Sequence, residues 1–495
     1  MIKSTLLYNS PITKNIFSNL QKENKTIITE VSGKSISSFD FSNNILNVAK
    51  NLSDFWVRKN HSVVILAKDN ILFWNLIISS ILTWAQIVLL DPAMGQKVMI
   101  EKIKASKVTH IILEWILYDY LYVTKSEILK MDIEFVINSW SIFGNKYKKV
   151  KSLLQENTSE IIFQDADENL AALTVFTGGT TGNPKWVVHS LASIFQMLEK
   201  IKYFIWNTKV FYADMPHFLL LGLLTDACII SGPYNLKPKK LKKILEKFEI
   251  DTYFCPPYKY NYFIERNLKV PKTLQNMLLG SAPIYSWFLE KLLPLLENSQ
   301  KVTCVYGMTE MLPIASVDAR EKVTSKIEWD LLWDLLSDIS YKIVDSELYV
   351  QWLHQMLHYL WYETKEMIAT GDLVKVENNK LIMIGRKKDM IIKQEYNIYP
   401  WVYEPIISKI PGVFACALVW IYDEKINDER IILFLEISHS QEKFNRNYII
   451  NRLKSGEYSI DACALPDEII FGIIPRIGRQ EKIDKNKLRE IYLRK

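Results

Sequence analysis

Between residues 41 and 55, Phe41, Ile45, Val48 and Leu52 recur at helical spacing with polar positions between them, which predicts an amphipathic helix. An unbroken apolar run, Val63 to Ala67, follows and reads as a buried strand. Phe73 to Met94 is the greasiest stretch, but Asn75, Gln86, Asp91 and Pro92 interrupt it. It predicts a buried helix and then a strand, not a membrane span. Ile111 to Glu114 and Leu173 to Phe176 continue the series of short strands. Strands alternating with helices mark a layered α/β domain.

Residues 237–248 carry Leu241, Ile244, Leu245 and Phe248 on one helical face, with lysines on the other, which reads as a solvated basic face. Thr252 to Cys255, Met277 to Leu279 and Val302 to Val305 are further short strands, each ending in a loop. The last hundred residues change character, with strand-like Val413 to Ile421 and Arg430 to Ile437 and a charged end. The expected architecture is a large N-terminal layered α/β domain over residues 1–386 and a small α+β domain over 387–495. No internal repeat or low-complexity segment is visible.

Composition narrows the partners. The chain has 495 residues, enough for more than one core. Its net charge of +6 comes from 61 basic and 55 acidic residues, too mild an excess for a nucleic-acid footprint. Cys228, Cys255, Cys304, Cys416 and Cys463 lie far apart with no CxxC, which suggests reduced thiols and a cytoplasmic protein, not a zinc site. The N-terminal apolar run is too short for a signal peptide, and attachment at the edge of a membrane stays open.

The chemistry centres on residues 174–190. A strand runs into a turn of Thr177, Gly178, Gly179, Thr180, Thr181 and Gly182, followed by Pro184 and Lys185. Glycines that leave backbone N–H groups uncovered, hydroxyl donors and one lysine suit phosphate oxygens. No Gly-Lys-Ser/Thr follows, so this is not the P-loop of ordinary NTPases, and a Gly/Thr turn between strands is the plain alternative. Gly280-Ser281-Ala282-Pro283 lies beyond the end of a strand, where ligands of such sheets bind. Tyr306-Gly307-Met308-Thr309-Glu310 reads as a loop after Val305; Glu310 offers a hard oxygen suited to Mg²⁺. Thr370-Gly371-Asp372 and Gly385-Arg386-Lys387-Lys388-Asp389 come later.

Taken in this order, with a late lysine, these motifs resemble the adenylate-forming superfamily of acyl-CoA synthetases, luciferases and peptide-synthetase adenylation domains. The similarity runs from about residue 35 to the C-terminus. The resemblance implies that residues 177–185 hold the β- and γ-phosphates of ATP. Tyr306 and Gly307 would lie on one face of adenine, and Gly280, Ser281 and Ala282 on the other. Thr309 would meet the α-phosphate, Glu310 would ligate Mg²⁺, and Asp372 would bind the ribose with Arg386 beside it. Lys388 would be the hinge of the mobile C-terminal domain, and Lys482 its catalytic lysine. Gln480-Glu481 departs from the Ser/Thr-Gly that usually precedes that lysine; Lys485 and Lys487 read instead as parts of a solvated final helix. His217 reads as a structural or loop residue, since Leu219 stands where the family's gate residue falls.

The implied reaction is activation of a carboxylic acid to an acyl-adenylate, then transfer to a thiol, most like an acyl-CoA synthetase for a fatty or other aliphatic acid. Phe218, Leu219, Leu221, Tyr253 and Tyr258 offer an apolar pocket or simply a core. Coenzyme A is the expected acceptor, but Gln394-Glu395 stands where many relatives have Gly-Gly or Ser-Gly beside the pantetheine channel. A carrier protein, an internal hydroxyl closing a β-lactone, or a non-catalytic acyl-nucleotide-binding homologue are the alternatives.

Glycine is scarce, at 16 residues, and tryptophan nearly matches it at 14. Trp56, Trp84, Trp186, Trp333, Trp352, Trp361, Trp401 and Trp420 occupy positions where the family has glycine, and Trp329 is a further case. Glycine there usually supplies positive φ or close packing. An indole would cost about 1–3 kcal/mol from strain at each. The hypothesis is a gene that reads UGA as glycine, translated with UGA as tryptophan; UGG codons at these positions would sink it.

Overall fold

The computed structural model describes residues 11–494, excluding 55–56, 68–69, 91–95, 138–152, 154–155, 157–166, 177–185, 206, 215, 234–235, 283, 326–329, 334, 354, 361–365, 379, 394–395, 424–427, 438–444, 455–457, 459 and 478–481. Mixed α/β layers fill it, as the alternation predicts. The helix Ser38–Asp54 places Phe41, Ile45, Val48 and Leu52 fully inside the core. Burial of such side chains contributes about 1.5–3 kcal/mol each, more than the weak intrinsic preference of an Asn/Ser-rich helix. The greasy stretch folds as the helix Asn70–Leu82 and the strand Gln86–Leu89.

Two large sheets carry the N-terminal part. A seven-stranded sheet runs in the order His358–Tyr359, Trp186–Ser190, Ala171–Phe176, Gln86–Leu89, Ser62–Leu66, His110–Leu113 and Glu134–Ile137. From Ala171–Phe176 to Glu134–Ile137 its strands pair in parallel and are apolar along most of their length, because both faces are covered. Ala171–Phe176 and Trp186–Ser190 pair antiparallel, with Phe176 opposite Trp186. The glycine-rich stretch is therefore the connection of a hairpin; residues 177–185 themselves lie outside the described residues.

An eight-stranded sheet includes, as neighbours, Val210–Ala213, Thr252–Cys255, Asn276–Leu279, Lys301–Met308 and Met311–Asp318. Lys301–Met308 corrects the expectation of a strand ending at Val305. Antiparallel pairing with Met311–Asp318 carries it through Tyr306 and Gly307, with a register shift between Tyr306 and Met308. A five-stranded antiparallel sheet holds Ile368–Glu377 beside Lys380–Arg386. After Arg386, a short 3₁₀ turn over Lys387–Asp389 leads to a three-stranded sheet of Val413–Asp423, Asp428–Ile437 and Glu468–Phe471 with its own apolar core. The basic helix Pro238–Lys247 buries Leu241 and Leu245 and exposes most of its lysines.

Candidate active site

Three strands bring the predicted residues together. Tyr306 comes from Lys301–Met308, Asp372 from Ile368–Glu377, and Arg386 from the end of Lys380–Arg386. Asp372 pairs across the five-stranded sheet with Arg386, so the two side chains start as neighbours. The Tyr306 hydroxyl donates to Asp372 Oδ2 at 2.7 Å, and Arg386 Nε lies 2.8 Å from Oδ1. The Nε–H is not aligned on that oxygen, so this contact is ionic more than hydrogen-bonded. The turn behind Asp372 is fixed by Thr370, whose hydroxyl donates to Leu348 O at 2.8 Å and accepts from the Asp372 amide at 3.0 Å.

These contacts set the charges. Burial pushes the Asp372 carboxyl up, while Arg386, Tyr306, Lys388 and Lys482 pull the other way. Burial and the Asp372 charge push the Tyr306 phenol far up, so it remains a donor. Asp372 in turn raises Arg386. Lys388 is lowered, chiefly by burial.

Lys482 reaches the same cluster from the C-terminal part. It stands on the two-residue strand Lys482–Ile483, paired with Arg476–Ile477. It keeps more than a third of its surface open, yet crowding in the cleft, then Arg386 and Lys388, lower its ammonium to about 8, with Asp372 opposing. Lys485 does not share the solvated face expected of it. It lies largely buried, 2.7 Å from Glu404, whereas Lys487 is exposed beside Glu490.

Two glycines of the predicted site are required for steric reasons. A Cβ on Gly280 would stand 2.8 Å from the Phe254 ring and 3.2 Å from Val305 O. One on Gly307 would meet Leu312 at 2.5 Å and Met311 O at 3.1 Å. Between Gly280 and Ala282, Ser281 sits in the left-handed region at φ 65°, strain that no sequence signal announced.

Thr309 and Glu310 form the turn after Met308. Glu310 is buried, and its Oε1 accepts from the Tyr359 hydroxyl at 2.7 Å. His189 Nε2 lies 2.8 Å from the Thr309 carbonyl. Burial lowers the imidazole to about 4, which leaves it neutral near pH 7. Neither His189 nor Tyr359 was found by sequence reasoning. Of the expected apolar pocket, Leu221 and Tyr253 are core residues; the Tyr253 hydroxyl donates to buried Asp214 at 2.7 Å. The side chains of His217, Phe218 and Leu219, and residues Gln394-Glu395 and 478–481, lie outside the described residues.

Of the described tryptophans expected at family-glycine positions, Trp84 has a left-handed backbone, at φ 60°. Trp186, Trp352, Trp401 and Trp420 do not. The Trp401 indole nitrogen is buried without a hydrogen bond, below the Arg386 guanidinium at 5.9 Å. Among the described residues, no helix is long and apolar enough to cross a membrane.

A family model described as AMP-binding enzyme matches residues 18–350. YdaB of Bacillus subtilis, named provisionally as an acyl–CoA ligase, is 25% identical over 326 residues, 57% of this chain and 64% of its own length. The chain thus spans a little under two thirds of that relative. Among solved structures, the amide bond synthetase McbA of Marinactinospora thermotolerans aligns with a TM-score of 0.81 at 15% identity, covering 97% of this chain and 100% of its own. The o-succinylbenzoate CoA synthetase of Bacillus subtilis, solved with an acyl-adenylate intermediate, aligns at 0.79 and 16%, covering 97% of each chain. At such identities the structural likeness establishes the fold. The family match, which spans well over half the chain, establishes more: this chain belongs to the family of AMP-binding enzymes.

Proposed function

We propose that the chain activates a carboxylic acid with ATP, forming an acyl-adenylate and pyrophosphate, and passes the acyl group to a thiol. The observation that carries this reading is the convergence of Tyr306, Asp372, Arg386, Lys388 and Lys482 in one cleft, with Thr309 and Glu310 at the end of the strand that supplies Tyr306.

The residue types fit the chemistry. A carboxylate is already a nucleophile, so the reaction needs no general base. Its difficulty is that an anion must approach a triphosphate while charge grows on the leaving pyrophosphate. Fixed cations and N–H donors answer that need. Lys482 would face the α-phosphate from the C-terminal side, and Thr309 from the other. Asp372, already oriented by Tyr306 and Arg386, would take the ribose hydroxyls. Gly280, Ser281 and Ala282 would lie against the base, as would Tyr306 and Gly307. Thr177 to Gly182 and Lys185 would hold the outer phosphates.

A single buried carboxylate matches how Mg²⁺ is usually held, by one or two carboxylates together with substrate phosphates. Glu310 would be that ligand, and the ion would neutralise phosphate charge. The turn over Lys387–Asp389 is the place where the small domain would swing after adenylation, with Lys388 as hinge and residues 387–495 as the moving part.

Coenzyme A is the acceptor we favour, because YdaB and the succinylbenzoate synthetase are both named for it. The likeness to an amide bond synthetase keeps a second acceptor class in view. For the acid, we favour an aliphatic chain over a charged amino acid, given the apolar helix Pro216–Thr225 beside the sheet. Pyrophosphate exchange with a panel of fatty, aromatic and amino acids tests the first step. Incorporation of label into ATP that depends on an apolar acid is expected; no exchange with any acid would leave a binding protein. Adding coenzyme A then tests the acceptor. Pyrophosphate release without thioester would point to another nucleophile.

A further inference from the structure

His189 and Tyr359 meet the Thr309–Glu310 turn from the far side of the molecule's main seam. The strand Trp186–Ser190 belongs to the seven-stranded sheet and leaves the glycine-rich connection directly. The turn belongs to the eight-stranded sheet, between Lys301–Met308 and Met311–Asp318. Residues 356–360 staple the two. The Leu357 and Leu360 amides donate to Val188 O and Trp186 O, each at 2.8 Å. The Met356 amide donates to Glu310 O at 2.9 Å. Tyr359, in the same five residues, donates its hydroxyl to Glu310 Oε1. From the strand itself, His189 reaches Thr309 O; a carbonyl cannot donate, so Nε2 carries the hydrogen.

Both peptide carbonyls of the turn and one carboxylate oxygen are thus held by His189 of the strand Trp186–Ser190 and by Met356 and Tyr359 of the segment that pairs with it. We propose that His189 and Tyr359 are positioning residues that lock the Glu310 carboxylate at a fixed offset from the strand Trp186–Ser190. This rests on the adenylation reading above. Its physical content is pre-organisation. Tyr359 holds one oxygen so that the other keeps a fixed direction toward a cation, and His189 stops the turn from sliding along the strand. A partner of this kind, one step removed from a ligand, typically governs about 10–100-fold in metal affinity or activity.

The experiment uses the full chain and three variants, Tyr359→Phe, His189→Ala and His189→Gln. Calorimetry measures AMP binding without metal, and the Mg²⁺ dependence of binding a non-hydrolysable ATP analogue; exchange is measured in parallel. In Tyr359→Phe, AMP affinity is expected to stay within about two-fold of the parent, because the carboxylate that Tyr359 holds is assigned to the metal and AMP binding is measured without it. Tyr359→Phe should raise the Mg²⁺ needed for half-maximal analogue binding by about ten-fold. His189→Ala should lower exchange kcat about 10–100-fold with little change in KM for the acid. His189→Gln, whose amide can offer a hydrogen to the same carbonyl, should recover most of it. Unchanged Mg²⁺ dependence in Tyr359→Phe overturns the proposal. So does equal loss in the Gln and Ala variants, or AMP affinity of Tyr359→Phe falling in step, since packing alone would then account for both residues. If the parent chain exchanges pyrophosphate with no acid, the adenylation reading fails by itself, and the Mg²⁺ dependence of analogue binding still decides the role of Tyr359.

Discussion

One wall of the cleft is built from long strands and the other from a short ribbon. Tyr306, Asp372 and Arg386 sit on strands of eight, ten and seven residues, and their polar atoms are tied to one another at 2.7 and 2.8 Å. Lys482 stands on a two-residue strand, more than a third exposed, and meets the cluster through charge. The first wall is tied together before any nucleotide arrives, although Asp372 Oδ1 and Arg386 Nε lack an aligned hydrogen bond. The second carries an ammonium that loss of solvent, and then repulsion from Arg386 and Lys388, makes reluctant to stay charged. A wall of the first kind suits recognition, which needs fixed geometry. A wall of the second kind suits a charge that is needed at one step and removed at another.

The largest expected effect breaks this contrast if it is wrong. Lys482→Ala should lower the rate of pyrophosphate exchange by about 10²–10³-fold, the scale of losing one transition-state donor, while AMP binding changes little. Asp372→Ala should do the reverse in proportion, with nucleotide affinity falling first. Calorimetry and exchange on both variants settle the division. An unchanged rate in Lys482→Ala would mean that the charge comes from elsewhere, with Arg386 and Lys388 the remaining cations of the cluster.

The next effect is a pH dependence with opposite signs in two measurements. Only the charged Lys482 can stabilise phosphate charge, so kcat/KM for ATP, which reports the free enzyme, should fall about ten-fold per unit above pH 8. Stability should respond the other way. The folded state gives up this proton near pH 8, the unfolded chain only in the ordinary lysine range. Between those values the unfolded state holds more protons, so the contribution of Lys482 to stability rises with pH. Melting curves and rate profiles over pH 7–10 separate the two. In Lys482→Ala, the drop above pH 8 should vanish from the residual rate.

Much of this was legible in the chain. The period of Phe41, Ile45, Val48 and Leu52 fixed a helix because every member faces the core. Thr252–Cys255 is legible to the residue, since a run of β-branched and aromatic residues suits a fully buried strand. Motif order singled out the cluster around Asp372. What stayed hidden depends on residues far apart in sequence. His189 and Thr309 are 120 residues apart, Tyr359 and Glu310 are 49 apart, and neither pair has a local pattern that ties it. The strand through Gly307 was read as a loop because glycine signals a turn. Antiparallel pairing with Met311–Asp318, absorbed by a register shift, overrode that signal. Lys485 was read as solvated from the charge of its helix, but Glu404 faces it from another helix.

The smallest effect concerns the rigid side's own scaffold, where Trp84 and Trp352 make a controlled pair. Trp84 ends the helix Asn70–Leu82. Its amide donates to Ile81 O at 3.0 Å, the next amide, of Ala85, donates to Ser80 O at 3.3 Å, and φ is 60°. That is a Schellman ending, with tryptophan at the left-handed position glycine ordinarily fills. An L-residue there costs about 1–2 kcal/mol, which the half-buried indole offsets in part by packing against the core. Trp352 has no such strain. It is 5% exposed, and its indole N–H donates to Asp338 at 2.8 Å, an acid also held by Lys200 at 2.8 Å. Trp84→Gly should therefore leave stability unchanged or raise it by up to about 1 kcal/mol. Trp352→Gly should lose about 3–5 kcal/mol by opening a cavity. Denaturant melts of both variants read the difference. A large loss at Trp84 would show that the indole's packing outweighs its backbone. A harmless change at Trp352 would show that glycine suits this site as well, which is what a UGA codon at both positions requires.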